Sequence, residues 1–213
     1  MLVDLHIHTN VSSRCSSVTP QQLVDRSKEL GLDAVCVTEH STGVGAQVNY
    51  EYALERGLKV FRGMEVYTEL GDMLVFGWPE KVKYYLFPFA ELRGEVEKRD
   101  GLIIPAHPCR GISDVRHRFR HTLDEELTQA IVAIETRNGA VTRKSNDQAE
   151  RLRKKYGLFG TGGSDAHHVS HIGRALTVFE EHIGDERELI EALRGGRYRA
   201  IYGDEVFGDE VSI

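Results

Sequence analysis

Leu2-Val3-Asp4-Leu5-His6-Ile7-His8 is the stretch on which the reading of this chain turns. It is short, β-branched and apolar at alternate places, so it reads as a buried strand. Side chains alternate across a strand, which puts Asp4, His6 and His8 on one face and Leu5 and Ile7 on the other. Burying three polar groups in a row is costly unless they bind something. His6 and His8 are therefore expected to be ligands, with Asp4 orienting a ligand histidine.

The same placement recurs downstream. His40 ends Val37-Thr38-Glu39-His40, and Glu65 lies in Arg62-Gly63-Met64-Glu65-Val66. His107 ends Ile103-Ile104-Pro105-Ala106-His107, while Asp165 and His167 close Gly162-Gly163-Ser164-Asp165-Ala166-His167. Further strands are expected at Asp33–Val37, Lys59–Val66, Asp72–Phe76, Leu102–Ala106, Ile131–Thr136, Leu158–Thr161 and Ala175–Phe179. Between them lie helical stretches. In one, Thr19 can cap, Pro20 suits the first helical position, Gln22 can complete a capping box and Gly31 ends the run. Others are Val48–Arg56, Phe89–Arg99, Asp124–Gln129, Thr142–Tyr156 and Glu186–Arg194. Strand–helix repetition of this kind predicts an α/β fold with a mostly parallel sheet. In parallel barrels the C-terminal strand ends converge on one rim, where active sites are built. Cys109–His121, which contains the basic run Arg116–His121, has no clear period and reads as a functional loop or lid.

Composition bounds the rest. The 213 residues carry 33 acidic and 27 basic side chains, a net charge of −6, with ten histidines. That is one domain's worth of chain with ordinary globular composition, which excludes wholesale disorder. The acidic balance argues against a general polyanion binder, so no stable nucleic-acid complex is expected. No apolar run is long enough to cross a bilayer and the N-terminus lacks a secretory pattern, so no membrane partner is expected. Three cysteines without paired spacing point to a reducing, cytoplasmic setting. Cys36 reads as core. Imidazoles and carboxylates in this number suit zinc, manganese or iron, and more than four candidate ligands imply more than one ion. Two-metal sites serve phosphate-ester hydrolysis, where a metal-activated hydroxide is available because bound water is acidified to a pKa of about 7.

Taken in order, Asp4-Leu5-His6-Ile7-His8-Thr9, Thr38-Glu39-His40, Gly63-Met64-Glu65, Ala106-His107-Pro108 and Gly163-Ser164-Asp165-Ala166-His167 resemble the motifs of the polymerase and histidinol phosphatase (PHP) superfamily. Residues 146–213 are similar to the PHP-associated C-terminal segment of its short, stand-alone members. The resemblance implies a single domain over residues 1–213, folded as a distorted seven-stranded (β/α)7 barrel. It also implies two or three divalent metal ions and phosphoester hydrolysis. Carried over by position, His6, His8, Glu65 and Asp165 would hold a first metal, with Glu65 bridging. His107 would bind the second, and His40 and His167 a third. Asp72 stands where many relatives have a second-site histidine, and can ligate through oxygen. The loop after His8, Val11-Ser12-Ser13-Arg14-Cys15-Ser16-Ser17, lacks the usual Asp or His ligand, leaving Cys15 as a thiolate alternative.

The catalytic set on this reading is His6, His8, Glu65, His107, Asp165 and His167. Arg110, Arg137 and Arg174 follow strand ends or a glycine and are candidates for the substrate phosphate. Glu135 sits at the rim and is expected to orient a ligand. The substrate is expected to be a phosphorylated small molecule or short nucleotide. Two alternatives are an amidohydrolase-type metal hydrolase, disfavoured because no strand-end lysine appears, and a non-catalytic metal-binding or regulatory module.

Overall fold

The computed structural model describes residues 1–78, 82, 86–110 and 123–208. Helix α1 (Pro20–Glu29) begins where its sequence directs. Thr19 accepts from the Gln22 N–H, the Gln22 side chain returns the bond to the Thr19 N–H, and Pro20 takes the first turn. The chain leaves the helix through Gly31 at φ 65°. The remaining elements are β1 (Leu2–Ile7), β2 (Ala34–His40), α2 (Val44–Leu54), β3 (Lys59–Thr68), β4 (Gly71–Phe76) and α3 (Phe89–Glu97). They continue as β5 (Leu102–Pro105), α4 (Glu125–Ala130), β6 (Ala133–Asn138), α5 (Arg143–Tyr156), β7 (Phe159–Gly163), β8 (Ala175–Phe179), α6 (Glu186–Gly195), β9 (Tyr198–Tyr202) and α7 (Asp204–Phe207). No helix among the described residues is long and apolar enough to cross a membrane.

Seven strands form one curled sheet in the order β5-β4-β3-β2-β1-β8-β9, and β6 pairs with β7 separately. The β6–β7 pair lies between β5 and β1, so the whole has the form of a distorted barrel. Its sheet corrects one expectation. The β1–β2, β2–β3 and β6–β7 pairs are parallel, but β3–β4, β4–β5, β1–β8 and β8–β9 are antiparallel. The reason is local. Only Glu69 and Leu70 separate β3 from β4, too few residues for a crossover, so these strands form a hairpin. Strand β9 and helix α7 carry no signal that the sequence reading used.

A second correction concerns β1. Its register against β2 shifts between Asp4 and Ile7, an irregularity that interrupts simple alternation. Val3 and Leu5 accordingly pack with Phe61, Phe76 and Ile104, whereas Ile7 packs with Val18, Leu23 and Val37. Asp4 bonds to the backbone instead. Its carboxylate accepts from the backbone N–H groups of His6 (3.3 Å), Ser164 (2.8 Å) and Gly173 (3.0 Å), bracing the strand rather than orienting an imidazole. Cys36 is buried in the core, as its strand position predicts.

Candidate metal centre

Strand ends deliver the polar groups to one place. His6 and His8 leave β1 with their Nε2 atoms 3.0 Å apart. Glu65 of β3 lies among four imidazoles. Its Oε1 is 3.0 Å from His107 Nε2 and 3.6 Å from His6 Nε2, and its Oε2 is 2.9 Å from His40 Nδ1 and 3.6 Å from His8 Nε2. Asp165, just past β7, places Oδ1 3.6 Å from His6 Nε2 and 3.5 Å from both His8 Nε2 and His167 Nδ1. His107 (φ 29°) and Asp165 (φ 51°) both hold left-handed backbone, a conformation uncommon outside glycine and enriched at functional sites. Among the described residues, four sets have ligand atoms within 4.8 Å of one another: His6–His8–Glu65, His6–His107–Asp165, Glu65–Asp72–His107 and His8–His40–His167. The first three sets are buried. His40 and His167 are 21% and 23% exposed and form the mouth.

The donor chemistry fits a cation. Glu135 Oε1 lies 3.0 Å from His6 Nδ1 and accepts its proton, which turns Nε2 toward the carboxylates of Glu65 and Asp165. Without a cation, those two acceptor-only groups and two facing imidazole nitrogens need a positive charge between them. A proton on His6 supplies it. Burial of the ring opposes that charge, yet Glu135, Asp165 and Glu65 together raise the His6 pKa to about 10. Burial, aided by the charges of His6 and His40, lowers the pKa of His8 to about 3, so its Nε2 accepts from His6. Asp165 and Glu65 are buried, but the surrounding histidines hold both well below the usual carboxylate range. The cluster thus keeps its carboxylates ionised and balances them with protons that a cation would displace.

A family model described as PHP-associated matches residues 143–198, the span from α5 to the start of β9. The α subunit of DNA polymerase III from Helicobacter pylori is 30% identical over 156 residues, 73% of this chain. That match covers 13% of the polymerase subunit. An uncharacterized protein of Methanocaldococcus jannaschii is 28% identical over 127 residues, covering 54% of this chain and 74% of that one. Among solved structures, a two-domain Bacteroides vulgatus protein containing a predicted PHP-like metal-dependent phosphoesterase superposes with a TM-score of 0.75 at 21% identity. The superposition covers 95% of this chain and 64% of that protein. The chain belongs to the PHP superfamily.

Within this PHP chain the remaining candidates separate clearly. Arg110 reaches the cluster, with its guanidinium 3.2 Å from both Asp165 Oδ2 and His107 Nε2. Arg137 is placed differently: the irregular β6–β7 register at Glu135–Arg137 turns its guanidinium over the Tyr202 ring, 5.0 Å from the centroid. Arg174 stands beside the Gly139–Ser164 backbone with its Nε buried and without a hydrogen-bond partner. Asp72 lies behind His107, Oδ2 to Nδ1 4.0 Å, and joins the set with Glu65. Glu135 does for the His6 ring what was expected of Asp4, and its Oε2 also accepts from the His107 N–H (2.7 Å). Cys15 is exposed and lies outside the four sets. Residues 111–122, including the basic run Arg116–His121, lie outside the described residues. Two neighbours of the cluster were missed by the sequence reading. Tyr67, two residues beyond Glu65 and so on the same strand face, places its hydroxyl 2.8 Å from His40 Nδ1. Glu39 is buried and reaches His8 through Ser13; its signal was a carboxylate in the buried part of β2 beside His40.

Proposed function

We propose that this protein is a metal-dependent phosphoesterase acting on a small phosphomonoester or a short nucleotide. One observation carries the reading. Buried, cation-seeking groups (His6, His8, Glu65, His107 and Asp165) converge on a mouth where Arg110 offers a guanidinium within 3.2 Å of Asp165. Two or three divalent ions, of zinc, manganese or iron, would be held by the four sets described above. When bound, such ions supply Lewis-acid stabilisation of phosphoryl oxygens and a water acidic enough to act as nucleophile near neutral pH.

The chain's own residues do the rest. Arg110 presents a planar fork that pairs with two phosphate oxygens, and its position at the cluster fixes the phosphorus beside the ligand set. Asp165 and His107 would hold cations, leaving that fork available to substrate. With two ions bound and the His8–His40–His167 set free, His40 or His167, at the partly exposed mouth, would hand a proton to the departing oxygen. Glu135 holds His6 through Nδ1 and keeps its Nε2 aimed inward.

The test is a hydrolysis panel with added Mn²⁺, spanning histidinol phosphate, mononucleotides and short oligonucleotides. Turnover of at least one phosphoester is expected, with loss of activity in His6→Ala and Asp165→Ala. Turnover of amides or lactones instead would carry an amidohydrolase reading. Full metal loading without turnover across the panel would make the chain a binding module.

A further inference from the structure

His8 can bind a cation through Nε2 only when its ring proton sits on Nδ1, and the surrounding hydrogen bonds dictate that placement. Its Nδ1 faces Ser13 Oγ at 3.4 Å. The same oxygen accepts from the His40 backbone N–H at 3.2 Å, and the Ser13 hydroxyl donates to Glu39 Oε2. A hydroxyl has one proton and two acceptor sites. With its proton on Glu39 and one acceptor site filled by His40, Ser13 can meet His8 only as an acceptor.

Glu39 is fixed in the same sense. Its Oε1 takes the Thr9 hydroxyl proton and the Thr9 N–H at 3.2 Å, and Thr9 Oγ1 accepts in turn from Asn49 Nδ2 at 2.8 Å. The carboxylate is buried, and Gly45 leaves the space it fills: a Cβ there would lie 2.7 Å from Glu39 Oε1 and 2.8 Å from Ser12 Oγ. Every bond at Glu39 is one that it accepts. A buried carboxylate with two hydroxyl donors and a backbone donor is a built arrangement, not a surface charge turned inward.

We propose that Glu39 is a positioning residue which, through Ser13, fixes the proton of His8 on Nδ1 and leaves the Nε2 lone pair facing Glu65 and Asp165. The proposal rests on the reading of the cluster as a cation centre. It pairs Glu39 with Glu135: one carboxylate sets His6 directly, the other sets His8 through one hydroxyl. The bare Nε2 stands 3.6 Å from Glu65 Oε2 and 3.5 Å from Asp165 Oδ1, the place where a cation would satisfy all three.

The deciding variant is Glu39→Gln. The new amide would donate to Ser13 Oγ, turn the hydroxyl toward His8 Nδ1 and drive the ring proton to Nε2. Long-range ¹H–¹⁵N NMR of the metal-free protein reads this directly. The wild type is expected to show the Nδ1–H form of His8, and the variant the Nε2–H form. Zn²⁺ affinity, measured against a competing chelator, should fall about ten- to a hundredfold. An unchanged tautomer with unchanged Zn²⁺ affinity would overturn the proposal. Should Glu39→Gln not fold, Ser13→Ala decides: mixed His8 tautomers support the relay, and a single Nδ1–H form refutes it. Failure of the wild type to bind Zn²⁺ would instead sink the metal-centre reading, and the tautomer measurement needs no metal.

Discussion

Gly163 shows how little freedom the centre allows at single residues. A Cβ there would collide with His6 Cβ and lie 2.8 Å from the His6 backbone nitrogen and 3.0 Å from Glu135 Oε1. The His6 atoms belong to the strand itself and Glu135 Oε1 is held on the His6 ring, so relief must come from moving β1 or β7. Gly163→Ala is therefore expected to cost about 1–3 kcal/mol, as overpacking does, and to weaken divalent-metal binding by shifting His6. Chemical denaturation and a Zn²⁺ titration check both; wild-type stability together with wild-type affinity would show that the close approach is dispensable. Residue types and their order along the chain were legible because polar groups inside apolar strands are costly and therefore conspicuous. Orientation was not. Period-2 reasoning gave Asp4 the task of orienting an imidazole, but the register shift in β1 hands Asp4 to backbone amides and leaves that task to Glu135. Arg137 departs for the same kind of reason, since a local irregularity of β6 against β7 redirects its side chain.

At the scale of elements, helix ends were the most readable features, because capping is decided within four residues. Thr19, Pro20 and Gln22 start α1, Thr142 caps α5 by accepting from the Ser145 N–H, and Gly157 ends it in left-handed backbone. Thr19→Ala removes the side-chain half of the capping box, leaving Gln22 to accept from the backbone N–H, and is expected to cost about 1 kcal/mol. Thr142→Ala should cost a similar amount by losing one cap bond. Both lie at helix starts away from the ligand atoms, so denaturation midpoints should fall while Zn²⁺ affinity stays within twofold. A large loss of affinity in Thr19→Ala would show that the loop before α1 transmits its position to Ser13 and His8. Strand direction was less legible. A run such as Asp72–Phe76 reads alike whether its neighbour is parallel or antiparallel, and here the two-residue connection at Glu69–Leu70 decides for antiparallel. That hairpin is functional in its consequence: it brings Asp72 of β4 back beside Glu65 and His107.

For the whole molecule, the centre ties charge, pH and stability together. A net charge of −6 includes carboxylates that are held ionised inside the barrel, and two divalent cations would offset most of it. Without metal, His6 carries the compensating proton with a pKa of about 10, against 6.5 for an unconstrained histidine. The folded state then binds this proton more tightly than the unfolded chain. Its contribution to stability is complete below pH 6.5 and is lost as pH rises toward 10. The raised pKa of His107, which Glu65 and Asp165 maintain against burial, acts in the same direction. Between pH 6.5 and 8.5 the buried thiols of Cys36 and Cys109, both raised above the ordinary thiol value, act in the same direction toward the upper end, where the unfolded thiols begin to ionise, but more weakly than His6. The metal-stripped protein should therefore lose about 2 kcal/mol over that window from His6 alone, or roughly 4–8 °C in Tm for a chain of this size. Metal binding must displace the His6 proton, so the Tm increment produced by Mn²⁺ should be larger at pH 8.5 than at pH 6.5. Paired thermal melts of chelator-treated and Mn²⁺-loaded protein at the two pH values measure both quantities. An increment that shrinks with rising pH would mean that no proton competes for the site, and that the charge between His6 and His8 is not what a cation replaces.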